Sequence, residues 1–199
     1  MNSAEIIVAV TGASGSVIAS ELLRALEADS RVARVHFVQS EHSRRVMADE
    51  LGLNRQAHII EDMLGAPPAK ITVHDNANIG ASIASGSYRT DAMIVLPCSM
   101  GTLASIANGL ADSLLTHAAD VCLKERRPLL LCVRETPFNR IHLRNMTLAA
   151  EAGATIFPLM PAFYNKPTDT LTMVRHFINR VLAHIGLPQP DAYVWNPGE

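Results

Sequence analysis

The sequence is poor in aromatic and charged residues. Aromatic side chains make up 5% of the 199 residues and charged side chains 18%, whereas 48% are hydrophobic. This composition excludes a disordered or fibrous chain and favours a compact α/β protein built on aliphatic side chains. The formal net charge of −2 argues against a general nucleic-acid binder, which would present a basic surface.

The sequence also lacks paired cysteines, regular histidine spacing and long apolar runs. Its three cysteines, at positions 98, 122 and 132, form no CxxC pair, which favours reduced thiols over a disulfide framework or a zinc site. Its eight histidines follow no ligand spacing, so no metal is expected. No basic leader precedes the first apolar run, and no run is long enough to span a bilayer. We expect a soluble, cytoplasmic protein without a metal, membrane or nucleic-acid partner.

The main pattern in the sequence is a series of short apolar segments, predicted to be strands, each followed by small or polar residues. The first runs from Ile6 to Val10 and leads into Thr11-Gly12-Ala13-Ser14-Gly15-Ser16, after which apolar residues at three- and four-residue spacing predict a helix over 17–26. Backbone N–H groups at such a helix start, with the hydroxyl of Ser14 or Ser16, can face an anion. A tight turn without a ligand explains these residues equally well.

The end of the second predicted strand, Val35 to Val38, favours a mononucleotide over a dinucleotide. The first turn is not a complete GxGxxG fingerprint, and the second strand ends at Gln39-Ser40 without the acidic residue that NAD requires. The strand from Ala92 to Pro97 ends in a similar turn, Cys98-Ser99-Met100-Gly101-Thr102, which is predicted to bind another part of the same ligand. Cys98 has no identifiable His or Asp partner, so a buried thiol is favoured over a nucleophile.

The remaining elements complete an α/β pattern. A helical face over 103–115 is interrupted at Gly109, residues 54–80 are irregular except for an extended 71–73, and a last strand covers 154–157. The segment 81–87 is either a loop that approaches a ligand or a surface connection. The other predicted helices cover 41–51, 118–126, 138–153 and 171–185. The fold class is a flavodoxin-like or Rossmann-like doubly wound parallel sheet with helices on both faces.

The stretch from Leu123 to Pro137 organises the rest of the chain. Its apolar run, Leu129 to Val133, is typical of a central strand covered on both faces. The run ends at Arg134-Glu135, where open α/β sheets bind ligands. A solvated turn is the alternative, because most exposed charges contribute little.

These pieces together resemble the flavin prenyltransferases of the UbiX type, within the flavin-containing decarboxylase-like flavodoxin-fold superfamily. The resemblance runs nearly end to end. The motifs that carry it are TGASG at 11–15, ASGS at 84–87, PCSMGT at 97–102, AADVCLKERRPL at 118–129, RETP at 134–137 and PAFY at 161–164.

The resemblance implies a metal-independent reaction in which a dimethylallyl group moves from dimethylallyl phosphate to N5 and C6 of reduced FMN. The prenylated FMN is then handed to a UbiD-type decarboxylase. It also implies a cytoplasmic homo-oligomer, for which a dodecamer is one arrangement, with active sites between subunits. Residues 1–199 are expected to form a single FMN-binding domain whose C-terminal helix and tail, about 170–199, pack on neighbouring subunits.

The resemblance assigns site residues by position. Glu135 is the expected proton-transfer group, and Lys124, Arg134 and His117 are the other catalytic residues. The expected FMN contacts are Gly12, Ala13, Ser14, Ser40, Ser99, Met100, Gly101, Thr102 and Arg134. The expected donor contacts are Ser85, Lys124, Tyr164, Arg180 and Glu50, the last reaching the site from another subunit.

One position departs from the family pattern. His117 precedes the Ala-Ala-Asp motif where the family has arginine, so a permanent cation is replaced by a side chain that can be neutral at pH 7. Two alternatives stay open: an FMN-dependent decarboxylase of a peptide or thiol substrate, and a non-catalytic carrier of prenylated FMN. A flavodoxin-like electron carrier is disfavoured, because FMN alone needs only one anion site.

Overall fold

The computed structural model describes residues 3–53 and 58–194. A six-stranded parallel sheet organises the first of two compact units, which ends at Leu159. Its strand order is β3-β2-β1-β4-β5-β6, and without the short edge strand β3 this is the flavodoxin order. The strands are β1 (Ala4–Val10), β2 (Val32–Gln39), β3 (Ile71–His74), β4 (Ala92–Cys98), β5 (Leu129–Val133) and β6 (Thr155–Ile156). The predicted doubly wound parallel sheet is therefore confirmed.

Helices connect consecutive strands, as parallel pairing requires. In this unit they are α1 (Ser16–Ala28), α2 (Glu41–Leu51), α3 (Ile59–Leu64), α4 (Met100–Ala107), α5 (Leu114–Lys124) and α6 (Arg140–Glu151), with a short 3-10 turn at Ser82–Ala84. The strands β4 and β5 are buried at every residue, and so are the last five residues of β1. Side chains from β1, β4, β5, α4 and α5 form one apolar core.

The second unit begins at Met160 and contains α7 (Thr170–His184). Asp169 caps this helix, because its Oδ1 accepts a hydrogen bond from the N–H of Thr172 at 2.8 Å. The ring of Tyr193 lies 5.7 Å from the Tyr164 ring and 6.5 Å from the His176 ring, centroid to centroid. The expectations of a single domain and of subunit contacts through 170–199 stay predictions, and residues 195–199 of that segment lie outside the described residues.

The predicted element bounds are wrong where local capping overrides apolar spacing. The segment 54–80 is predicted to be irregular except for 71–73, but Ile59–Leu64 form the helix α3. The helical face predicted over 103–115 is divided as expected around Gly109, but the gap is wider: α4 stops at Ala107, and α5 begins only after Ser113, whose hydroxyl caps it in a capping box with Thr116. The same helix ends at Lys124, because Arg126 adopts a left-handed φ of 55°. None of the described helices is long and apolar enough to cross a membrane.

Candidate active site

Two turns meet at the carboxyl edge of the sheet, where β1 and β4 lie side by side. The hydroxyl of Thr11 donates to the carbonyl of Pro97 at 2.8 Å and accepts from the N–H of Ser99 at 2.7 Å. Ser99 in turn caps α4, because its Oγ accepts from the N–H of Thr102. The chain winds in opposite directions from β1 and β4, so this is the switch point at which open α/β sheets bind ligands.

The turn after β1 depends on two glycines. A Cβ on Gly12 would lie 2.8 Å from the Cβ of His42, at the start of α2. Gly15, the residue before α1, has a φ of 133°, which side chains rarely tolerate. Gly12, Ala13 and Ser14 therefore form a close turn whose backbone is at least partly accessible.

The start of α1 already holds an anion from its own chain. The carboxylate of Glu50 accepts from the N–H of Ser16 at 2.7 Å and from that of Gly15 at 3.1 Å. Burial raises the pKa of Glu50, but hydrogen bonds from Ser14, Ser16 and Gly15 outweigh it, so the pKa lies below its ordinary value. Glu50 makes this contact within one chain, so it needs no second subunit to reach the turn.

Two polar atoms at the end of β2 are buried without a hydrogen-bond partner. They are Oγ of Ser40 and Oε1 of Gln39, and the Gln39 side chain is among the buried residues. A buried acceptor without a donor costs about 1–3 kcal/mol, so such atoms indicate where a ligand binds. Ser40 is a predicted FMN contact, whereas Gln39 is a site candidate that sequence reasoning missed. Gln39 could have been identified from the sequence as a polar amide that directly follows the apolar strand from Val35 to Val38.

The turn after β5 lies next to the β4 turn. The N–H of Arg134 donates to the carbonyl of Cys98 at 3.1 Å. Both Arg134 and Glu135 are exposed, and Oε1 of Glu135 accepts from the N–H of Thr136 at 2.9 Å. Burial raises the pKa of Cys98 to about 12, which confirms the prediction of a buried thiol rather than a nucleophile.

The structure does not bring Lys124 to Arg134 within one chain. Lys124 ends α5 just before β5 begins, at the amino edge of the sheet, whereas Arg134 follows the carboxyl end of β5. Five strand residues separate the two edges by about 16 Å at about 3.3 Å per residue. Ser85 also lies toward the amino edge, because its neighbour Gly86 contacts Arg127 before β5. His117 is half-buried in the first turn of α5, nearer the carboxyl edge.

Two further predicted residues, Tyr164 and Arg180, belong to the second unit, and both are exposed there. Met100 is buried at the start of α4, while Gly101 and Thr102 in the same turn are more accessible. The predicted set therefore divides into a carboxyl-edge group, an amino-edge pair (Ser85 and Lys124) and two residues of the second unit.

Comparison with known proteins gives long and close matches. The Flavoprotein family matches residues 1–181. Flavin prenyltransferase UbiX of Salmonella typhimurium is 44% identical over 191 residues, 95% of this chain and 96% of that protein. The crystal structure of AnUbiX (PadA1) in complex with FMN and dimethylallyl pyrophosphate has a TM-score of 0.87 at 38% identity, covering 99% of this chain and 100% of that one. A dodecameric FMN-dependent UbiX-like decarboxylase from Escherichia coli O157:H7 has a TM-score of 0.85 at 41% identity, covering 96% and 99%.

Proposed function

Since the chain belongs to the flavin prenyltransferases of the UbiX type, we propose that it transfers a dimethylallyl group from dimethylallyl phosphate to N5 and C6 of reduced FMN. The observation that supports this most is the carboxyl edge of the sheet. At this edge, Thr11 joins two hydroxyl-rich turns by hydrogen bonds. The same edge carries buried polar atoms without partners, on Gln39 and Ser40, and the exposed cation Arg134.

The residues at the carboxyl edge fit a flavin mononucleotide. Oγ of Ser40 and Oε1 of Gln39 lack partners and can bond a polar ligand, and the close turn at Gly12 leaves its backbone free of side-chain bulk. When bound, reduced FMN supplies the N5 and C6 positions that accept the allyl group. The residues that we propose hold it are Gly12, Ala13, Ser14, Ser40, Ser99, Met100, Gly101, Thr102 and Arg134.

The donor site is proposed to combine two subunits. Within one chain Lys124 and Arg134 lie at opposite edges of the sheet, about 16 Å apart along β5. We therefore propose that one phosphate receives the two side chains from different subunits, with the amino edge of one subunit facing the carboxyl edge of another. This requires a homo-oligomer, and the UbiX-like protein from Escherichia coli O157:H7 is a dodecamer. Ser85, Glu50, Tyr164 and Arg180 are the other proposed donor contacts.

The proposed residues have complementary roles in breaking the allylic C–O bond. The electron pair of that bond leaves on the phosphate, and fixed Lys124 and Arg134 donors stabilise the growing negative charge. Arginine binds phosphate through two parallel hydrogen bonds, whereas lysine provides a compact point charge. Glu135 is proposed to accept the proton that the new ring releases, because its carboxylate is a proton acceptor next to Arg134 in the chain.

The product and its location follow from the same proposal. Prenylated FMN would pass to a UbiD-type decarboxylase, as the resemblance to the family implies. The three cysteines are buried free thiols, which suits a reducing compartment such as the cytoplasm.

Prenyl transfer is tested by incubating the purified protein with reduced FMN and dimethylallyl phosphate under anaerobic conditions and weighing the extracted flavin. We expect the mass of the flavin to rise by one prenyl unit. A flavin of unchanged mass contradicts prenyl transfer. The alternatives then separate by a second assay: release of carbon dioxide from a cysteine-containing peptide supports a decarboxylase, and tight binding of added prenylated FMN supports a carrier.

The shared donor site is tested by complementation. Lys124→Ala and Arg134→Ala homo-oligomers should each lose activity. If their subunits are dissociated, mixed and reassembled, about a quarter of the sites in a random symmetric oligomer regain both side chains, so activity should return. Reassembly of each variant alone is the matched control. No recovery in the mixture means that both side chains come from one chain.

A further inference from the structure

Arg127 is joined to one loop by three hydrogen bonds. Its Nη1 donates to the carbonyl of Tyr88 at 2.9 Å and to the hydroxyl of Thr90 at 3.2 Å, and its Nη2 donates to the carbonyl of Gly86 at 2.6 Å. We call residues 85–90 the amino-edge loop. The three acceptors span most of this loop, so one guanidinium fixes its path.

The position of Arg127 is itself fixed by the end of α5. Its N–H donates to the carbonyl of Cys122 at 2.8 Å, and the preceding Arg126 takes the left-handed conformation that reverses the chain. The next residue, Pro128, accepts from the N–H of Met93 at 2.8 Å and so joins the sheet. Arg127 therefore stands three residues after Lys124, on a rigid junction between α5 and β5.

Glu125 also lies close to the amino-edge loop. A Cβ on Gly86 would overlap the Glu125 carboxylate, so the loop passes close to this side chain. Oγ of Ser85 lies 2.9 Å from Oγ of Ser87, and both serines are exposed. The loop thus contacts both Arg127 and Glu125, while the hydroxyl groups of Ser85 and Ser87 face solvent at the edge that carries Lys124.

We propose that Arg127 is a positioning residue for the prenyl donor: it holds the amino-edge loop so that the Ser85 hydroxyl and the Lys124 ammonium meet the same donor phosphate. This inference rests on the proposed function. Three of the five guanidinium N–H donors of Arg127 are already bound to the loop, so the role proposed for it is to hold the loop and not to bind the phosphate. Lysine cannot replace it, since an ammonium lacks the planar fork that reaches separated carbonyls together.

The prediction that separates this role from general stability concerns the donor alone. Arg127→Lys should lower kcat/KM for dimethylallyl phosphate about 10- to 100-fold, because small displacements of a binding group are costly. The FMN Kd should stay within about twofold of the wild type, because no residue of the amino-edge loop is among the proposed FMN contacts. Guanidinium ion added to Arg127→Ala should restore part of the lost kcat/KM.

The control is Arg89→Ala, which removes an equal charge from the same loop. The Arg89 side chain is 80% exposed and only approaches Asp91, at 3.6 Å, so kcat/KM should not change. Amide hydrogen exchange should quicken at 85–90 in Arg127→Lys and remain unchanged in Arg89→Ala. The inference is overturned if Arg127→Lys matches the wild type, or if its donor and FMN affinities fall in parallel.

Binding of dimethylallyl phosphate, followed by ³¹P NMR, separates failure of this inference from failure of prenyl transfer. A wild type that binds the donor without turnover contradicts the proposed transfer only. An Arg127→Lys variant that binds it as tightly as the wild type contradicts the positioning role only. A wild type that does not bind it at all contradicts both.

Discussion

The two edges of the sheet differ in whether their buried polar atoms have hydrogen-bond partners. At the carboxyl edge, Oγ of Ser40 and Oε1 of Gln39 are buried without partners. Toward the amino edge, Tyr88 and His36 both bond the carboxylate of Glu5. Buried polar atoms are almost always hydrogen-bonded in native structures, so the unpaired atoms indicate that a ligand binds at the carboxyl edge. Toward the amino edge, Glu5, His36 and Tyr88 bond one another and leave only a few groups exposed, and we call this network the amino-edge frame.

The amino-edge frame is a hydrogen-bonded chain that starts at Glu5, near the amino end of β1, and extends to His74, which pairs with Val38 in the sheet. Tyr88 donates its hydroxyl to Oε2 of Glu5 at 2.6 Å, and Nε2 of His36 lies 3.1 Å from the same oxygen. Nδ1 of His36 lies 3.0 Å from Nε2 of His74. Because Glu5 can only accept, His36 carries its proton on Nε2 and accepts from His74 through Nδ1. Every ring in this chain of hydrogen bonds thus has a defined partner, unlike the side chains of Ser40 and Gln39 at the carboxyl edge.

The largest expected effect is on FMN binding at the carboxyl edge. In Gly12→Ala the new Cβ meets the Cβ of His42, an atom that cannot rotate away, so the turn must shift. Overpacking of this kind costs about 1–3 kcal/mol, and we expect the FMN Kd to rise by up to about 100-fold. Fluorescence titration of FMN measures it.

The matched control is Gly80→Ala, where the nearest atom, Oδ1 of Asn78, lies 3.5 Å from the new Cβ. Its FMN Kd should equal that of the wild type. Equal Kd values for Gly12→Ala and the wild type would remove the close turn from the cofactor site.

A second effect concerns the bond between the two carboxyl-edge turns. Thr11→Val keeps the shape of the side chain but leaves the N–H of Ser99 without its acceptor. An unsatisfied buried donor costs about 1–3 kcal/mol, and urea unfolding should report a loss of that size. Thr11→Ser retains the hydroxyl and should lose less. If the valine variant is as stable as the wild type, Thr11 does not hold the turns together.

A smaller effect is expected at His117, in the first turn of α5. His117→Arg supplies a permanent cation, and we expect kcat/KM for prenyl transfer to rise by about tenfold, equivalent to about 1.4 kcal/mol. His117→Gln is the uncharged control and should show no gain. Activity that appears only in the arginine variant identifies the wild type as a carrier, and a fall in activity means that histidine is the better residue at this position.

Local features of both edges could be predicted from the sequence, whereas contacts across the chain could not. The bounds of α2 and β5 match their apolar patterns. Lys124 and Arg134 lie in one stretch, Leu123 to Pro137, and are assigned to one phosphate, yet β5 runs between them and places them at opposite edges of the sheet. The contact of Glu50 with Ser16 and that of Arg127 with Gly86 join residues 34 and 41 positions apart. No periodicity encodes such pairs, because they depend on how the helices pack.

The smallest effect tests the amino-edge frame through pH. Burial lowers the pKa of His36 despite the nearby Glu5 carboxylate, and burial with the His36 charge lowers that of His74. The unfolded chain, whose histidines titrate near pH 6.5, therefore binds more protons than the folded chain below that pH. The free energy of unfolding should fall as the pH drops from about 6.5, by at most about 1.4 kcal/mol per pH unit for each proton.

The contribution of Glu5 is lost only at lower pH. Burial raises the pKa of Glu5, but hydrogen bonds from Tyr88 and His36 outweigh it and hold the pKa below 4.5. His36→Gln keeps a donor toward Glu5 without a titrating ring, so its free energy of unfolding should depend less steeply on pH between 6.5 and 5. His58→Gln, at an exposed position before α3, should keep the wild-type slope. If the free energy of unfolding depends equally steeply on pH in both variants, His36 is not held neutral in the amino-edge frame. The two edges would then not differ in their electrostatics.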